Sequence, residues 1–346
     1  MKRINYISEY GLFVFAYDPQ AVPTANTGSS NLAPGMAEFY SKRMLERTLP
    51  NLVYHQFGEK ETITENAGKT INWRRFLSYQ PADVLQEGIT PDPSNPVQEK
   101  ISVTVIQLGA FTPFTDLVSM THIDLRITEL VDLHSEQAAL TVDKQVRDEL
   151  CTSTNIIYAP IVADDGSKTT VTSRASITAN AKLTPEVIAQ ASTFLRKQNA
   201  PTIDGTHYAM IVHPSVAHDI MTNKDWIDYQ KYANPDNIYK GEIGTLYGFR
   251  FFLSTQARVT KDGASKAAVY DCISLGKNAF KVCDIAGKGI EIIVKPITSG
   301  GSDNPLNQRG SVAWKLAAFA CKITYPGRIC HVVCGSSFSG IDAENA

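Results

Sequence analysis

Between Thr121 and Leu150 the apolar residues Ile123, Ile127, Leu130, Val131, Ala138, Val142, Val146 and Leu150 recur close to every 3.6 positions. Asp132, Glu136, Asp143, Lys144, Arg147 and Asp148 fall mostly on other faces. This spacing predicts one helix of about 30 residues, roughly 45 Å at 1.5 Å per residue. Thr121-His122-Ile123-Asp124 has the form of a capping box at its start. Such a helix is longer than a small domain needs and reads as a spine. Leu183-Thr184-Pro185-Glu186 signals a second helix to about Gln198, with Thr184 as N-cap and Pro185 in the first turn. Shorter helices fit Ser215–Met221 and, upstream, Ala37–Leu49, which Pro50 ends.

Period-two patterns give the strands. Lys69–Leu77 is rich in aromatic and β-branched residues, and Ile101–Ile106 alternates over its first five positions. Pro81, Pro91, Pro93, Pro96 and Gly88 lie between them. A connection this long is uncommon inside a compact core, so the pair reads as a long β-hairpin with an irregular tip. Trp73, Arg74, Arg75 and Phe76 are candidates for inter-subunit contact, because aromatic residues and Arg are enriched at interfaces. Later strands are expected at Tyr208–Val212, Phe249–Leu253, Ala268–Leu275, Ala279–Val282, Gly289–Lys295, Ser311–Thr324 and Arg328–Cys334. Residues 1–35, rich in Asn, Ser, Thr, Gly and Pro, read as an extended arm. There is no internal repeat, and the class is α+β, with late strands returning to close the first lobe.

Composition narrows the function. Hydrophobic residues make up 43% and charged residues 20% of 346 positions, enough to bury a sizeable core. No apolar run approaches the roughly 20 residues that span a bilayer, so no membrane role is expected. Leu12–Ala16 is too short for a secretory signal. Thirty-three basic and 35 acidic residues give a net charge of −2, with no block of five like charges at either end. Tight neutralisation of phosphates is therefore not expected, although a weak, non-specific contact with DNA is compatible with so neutral a surface. Cys151, Cys272, Cys283, Cys321, Cys330 and Cys334 are too scattered for a disulfide scaffold and are expected to be free thiols.

Each candidate for chemistry has a simpler reading. Gly68-Lys69-Thr70 lacks the upstream glycine of a phosphate loop and precedes a strand, so it reads as a turn. In a strand, Cys330, Val332 and Cys334 share one face while His331 points to the other, and the spacing matches no common zinc motif. His213 and His218 lie five apart, off the helical metal-pair spacing, and read as packing or capping residues. Gly335–Gly340 fails the nucleophile-elbow pattern, Gly287-Lys288-Gly289 lacks a dinucleotide fingerprint, and Asp164-Asp165-Gly166 reads as a solvated turn. No catalytic, cofactor or metal site is supported, and the chain reads as a non-enzyme.

Several strings in a fixed order resemble the N-four-type phage major capsid protein family: Phe39–Arg47, Leu52–Gly58, Gly68–Phe76, Leu85–Pro91, Asn199–Pro201, Ile211–Pro214 and Gly241–Gly248. The order of elements, from arm and short helix through hairpin and spine to a central lobe and returning strands, resembles the Hong Kong 97-type major capsid fold. That resemblance implies an N-terminal arm and short helix (1–52), an extended β-hairpin E-loop (53–115) and a P-domain with the spine helix (116–182 and 290–335). It further implies an α/β A-domain (183–289) and a C-terminal tail (336–346). It also implies a tailed double-stranded DNA phage, whose head is built from pentamers and hexamers of this chain in the host bacterial cytoplasm. Portal, scaffold and decoration proteins are implied as partners, with packaged DNA as a weak contact. A nanocompartment subunit of the encapsulin kind is the nearest alternative, and a small oligomeric cytosolic enzyme a more distant one.

Overall fold

The computed structural model describes residues 5–7, 13–15 and 53–345, except 65–67, 80, 83, 85–86, 89–92, 122–126, 164–165, 225, 228–243, 286–288 and 298–305. The expected helix 37–49, most of the expected capping box, Asp164-Asp165 and Gly287-Lys288 lie outside the described residues. The chain divides into two units, residues 1–47 and 48–346. In the first, β1 (Asn5–Ile7) and β2 (Phe13–Phe15) pair antiparallel, a local element that the arm reading did not anticipate.

The second unit opens with a 3-10 turn at Tyr54–Phe57, followed by β3 (Glu59–Ile63), β4 (Thr70–Phe76), β5 (Gln98–Thr104) and β6 (Ile106–Thr115). Helices α1 (Asp116–Thr121) and α2 (Ile127–Leu150) follow, and α2 lies within the span where the pattern predicted a long helix. The 24 residues of α2 give roughly 36 Å. Short strands β7 (Ile156–Tyr158), β8 (Ile161–Val162) and β9 (Lys168–Thr169) lead to α3 (Pro185–Lys197), β10 (Tyr208–Val212) and α4 (Pro214–Met221). Thr184 is the extended N-cap of α3 as predicted, but its side chain makes no capping bond. The chain then forms β11 (Thr245–Leu246), β12 (Phe249–Leu253), β13 (Val259–Thr260) and β14 (Val269–Leu275). Four further strands close the fold: β15 (Phe280–Ile285), β16 (Ile290–Lys295), β17 (Arg309–Ile323) and β18 (Ile329–Cys334).

Two sheets carry the body. The larger runs β11-β12-β10-β14-β18-β7, with β13 also paired to β14. In the other, β17 is the hub: β6 lies antiparallel along one edge, and β16 and β15 along the other. Beyond β15 lies β3, in parallel register from Lys281↔Glu59 to Ile285↔Ile63. The sequence of β3, Glu-Lys-Glu-Thr-Ile, is too polar to announce a sheet strand.

Alternation explains why β10 is buried along its whole length. Tyr208, Met210 and Val212 pack with α3 and α4, whereas Ala209 and Ile211 join a second cluster on the opposite face. That second cluster gathers Ala138, Val142, Val146 and Leu150 of α2 against Ile273, Phe280, Val282, Trp314, Leu316 and Phe319. Cys330, Val332 and Cys334 share the first cluster, so the face assignment from the strand period holds.

Two charged residues of α2 that lie off its apolar stripe are nevertheless buried: Asp143 is 1% exposed and Arg147 0%. The Asp143 carboxylate accepts from the backbone N–H groups of His55 (2.9 Å) and Val53 (3.3 Å), fixing the chain where it meets the helix. Asp143→Ala strips acceptors from two amides and should destabilise the fold by roughly 2 kcal/mol. Denaturant unfolding of the soluble subunit measures this, and an unchanged midpoint would contradict the role.

Candidate assembly surface

Strands β4 and β5 pair with each other in a separate two-stranded sheet, in register from Thr70↔Thr104 to Phe76↔Gln98. Gly68 precedes them with φ +91°, a left-handed turn position that suits glycine and agrees with the turn reading. Alternation along β4 sends Ile71, Trp73 and Arg75 to one face, half-buried, and Asn72, Arg74 and Phe76 to the other, exposed. The four predicted contact residues are therefore split between the two faces.

Trp73 and Arg75 bind this chain's own body. Trp73 Nε1 donates to Glu61 Oε2 (3.0 Å), and Lys281 Nζ lies 2.9 Å from the same oxygen and 6.0 Å from the indole centroid. Arg75 Nε donates to Glu99 Oε2 (2.7 Å) and Arg75 Nη1 to the Thr324 carbonyl (2.8 Å). Its guanidinium also sits 5.4 Å from the Tyr325 ring centroid, and Arg328 covers that ring at 4.0 Å. Strand alternation is a signal in the sequence that would have separated these two from their neighbours.

Arg74 and Phe76 face outward, and Phe76 is 66% exposed. Leu77, Tyr79, Val84 and Val97 continue an apolar exposure towards the tip. A second exposure lies where β6 runs into α1, at Phe111, Leu117, Val118 and Met120. Beside it Thr112, Pro113, Phe114, Val118, Leu130 and Arg309 line a cleft of about 440 Å³. Contiguous apolar exposure of this kind marks interaction surface.

One buried cluster has the outline of a chemical site that sequence spacing did not reveal. Cys151, Asp271 and His331 bring ligand atoms within 4.8 Å of one another, with His331 Nε2 2.9 Å from Asp271 Oδ1. Its surroundings oppose both metal binding and nucleophilic chemistry. Arg174 Nη1 donates to Asp271 at 2.6 Å, and Arg258 approaches it at 3.8 Å, so two guanidiniums already face this carboxylate and repel a cation. Burial works against the Asp271 charge, but the bonds from His331 and Arg174 hold its carboxyl below the usual range. Burial, with the Asp271 charge adding to it, pushes the Cys151 thiol up to about 12. A protonated thiol is neither nucleophile nor ligand at neutral pH. Asp271 of β14 is thus held by an ion pair with Arg174 and a hydrogen bond with His331 of β18, with the neutral Cys151 thiol beside them.

The sequence matches the model of a phage capsid protein family over residues 98–332. That span exceeds half of the chain, and the chain belongs to this phage capsid protein family. Its role is structural, not enzymatic, and its place is the virion capsid. Solved structures agree in fold. The Cyanophage Pam1 capsid asymmetric unit is similar with a TM-score of 0.65 at 12% identity, over 90% of this chain and 99% of that one. A chain from Mycobacterium phage Che8 gives 0.63 at 13%, over 86% and 97%. The mature capsid of bacteriophage PhiM1 gives 0.61 at 16%, over 86% and 91%. No curated protein matches the sequence. The fold is the Hong Kong 97-type capsid fold expected from the resemblance.

Two histidines give the subunit a pH dependence. Burial lowers His55 and His213 below 6.5, with Lys60 adding to the effect at His55. A depressed histidine contributes stability that is present above the unfolded value of about 6.5 and lost as pH falls through the folded value. Thermal unfolding of soluble subunits should therefore shift to lower temperature between pH 7 and pH 5. His213 Nδ1 accepts from Ser215 N at the start of α4, a position Asn also fills without titrating. His213→Asn should flatten part of the dependence, and an unchanged profile would exclude that residue. Burial likewise pushes Cys283 and Cys330 up to about 12. Native subunits should label with a thiol reagent at least tenfold more slowly than unfolded ones.

Proposed function

We propose that this chain is the repeating subunit of a tailed-phage head, arranged as pentamers and hexamers around double-stranded DNA. The observation that carries the proposal is the split hairpin: Trp73 and Arg75 bond its inner face to the subunit, while Arg74, Phe76, Leu77, Tyr79 and Val97 remain exposed. Those outward groups lie on a neighbouring copy. Trp73 and Arg75 serve the same contact indirectly by aiming the hairpin.

Separate contacts near 4 kcal/mol correspond to roughly millimolar dissociation constants, weak enough to correct errors. Several made at once give a stable particle. The division into arm (1–52), E-loop (53–115), P-domain (116–182 and 290–335), A-domain (183–289) and tail (336–346) is carried into the proposal. Within the second part, what reaches a neighbour is the outward face of the β4–β5 hairpin, because its inner face is bonded to the body and β3 and β6 belong to the five-stranded sheet. A net charge of −2 suits a wall that touches packaged DNA weakly. Assembly takes place in the host bacterial cytoplasm, with portal, scaffold and decoration proteins as partners.

Replacing residues 78–96 by an Asn-Gly turn should leave a folded, soluble subunit that forms no shells in electron microscopy. Wild-type-like particles would refute the reading. Arg74→Glu with Phe76→Asp should abolish shells while moving the melting temperature by no more than a few degrees. Trp73→Ala loses one partly exposed hydrogen bond, worth about 1 kcal/mol or less, and should lower shell yield more than subunit stability. An unfolded Trp73→Ala subunit would contradict this.

A further inference from the structure

The residues after β18 are bonded to the body almost one by one. Gly335 N donates to the Ala181 carbonyl (2.8 Å), and a side chain at Gly335 would collide with the Thr178 carbonyl. Ser336 Oγ donates to the Ser215 carbonyl (3.3 Å), and Ser337 donates to Asp219 through both its amide (2.9 Å) and its hydroxyl. Ser339 Oγ donates to the Ala268 carbonyl (2.8 Å). The Asp342 carboxylate accepts from Tyr270 OH (2.6 Å) and Ser215 Oγ (2.5 Å).

Asn345 completes the run. Its Oδ1 accepts from Val259 N (2.7 Å), and its Nδ2 donates to the carbonyls of Ala257 (2.9 Å) and Thr255 (3.3 Å). Its backbone N–H donates to the Val259 carbonyl (3.1 Å). One side chain thus serves both sides of the 255–259 turn. The Asn345 carbonyl in turn accepts from Arg147 Nη1 (3.0 Å), which also donates to the Gln256 carbonyl (3.0 Å). Arg147 has no exposure and its guanidinium carries five donors, so each acceptor matters.

Bonds this dense fix a loop that would otherwise keep its conformational freedom. Here the tie reaches a buried cation on the spine helix. We propose that residues 336–345 are a strap coupling α2 to the central lobe, with Asn345 as its catch, and that this coupling fixes the orientation of the helix relative to α4 and the 255–259 turn. In a shell, that orientation enters the angle at which neighbouring copies meet, so it contributes to particle size.

Hydrogen exchange on purified subunits tests the coupling without reference to shells. In Asn345→Ala, which removes three side-chain hydrogen bonds and no backbone, amides 146–150 and 257–260 should both exchange at least tenfold faster, with α3 and β10 unchanged. Faster exchange confined to 257–260, or no change in either segment, overturns the strap. A chain ending after Gly340 should enlarge the effect, and if it fails to fold, Asn345→Ala decides alone. The second readout rests on the shell reading: Asn345→Ala particles should show a broader diameter distribution by electron microscopy, and an unchanged one overturns the link to size.

Discussion

Helix α2 lies against β17, and most of the second unit is organised by that contact. Val142, Val146 and Leu150 cover Trp314, Leu316 and Phe319, and Gln137 accepts from the Trp314 indole N–H at 3.0 Å. A strand of 15 residues exposes a long row of backbone groups on each edge, and leaving them bare would invite uncontrolled pairing. Here β6 takes one edge while β16 and β15 share the other. The same cluster reaches Ala209, Ile211 and Ile273 of the larger sheet, so a single apolar body joins the spine, the hub strand and the central lobe.

Burial of charge sets the finer geometry. Asp143 and Arg147 are an i, i+4 pair on α2, and each would be costly in an apolar interior without partners. Asp143 finds them in the amides of Val53 and His55, and Arg147 in Asp148 and the carbonyls of Gln256 and Asn345. The Arg174–Asp271–His331 group does the same between β14 and β18. Breaking one partner of such a set leaves the other stranded, which gives these contacts their weight in keeping one arrangement.

Much of the architecture could be read from periodicity. The hairpin strands, α3, β10 and all the strands from β12 to β18 except the short β13 were located within a few residues, because each presents a clear run or alternation between breakers. Periodicity reports faces and not partners, which explains the misses. The polar strand β3 owes its place to parallel pairing with β15, a long-range fact with no local signature. Asp143 and Arg147 lie off the apolar stripe of α2, and their burial depends on distant backbone partners that spacing does not report. The contact candidates were chosen by residue type alone. Alternation would have placed Trp73 and Arg75 on one face and Arg74 and Phe76 on the other, but not which face meets the body. The bonded tail was hidden for a similar reason: a run of Ser, Gly and Asn reads as loop whether or not it is tied down.

The positions of Asp143 and Arg147 also have a mechanical meaning. The segment at Val53 and the segment at Asn345 are buckled to the same helix one turn apart. A pull on either segment is therefore delivered to the same turn of α2.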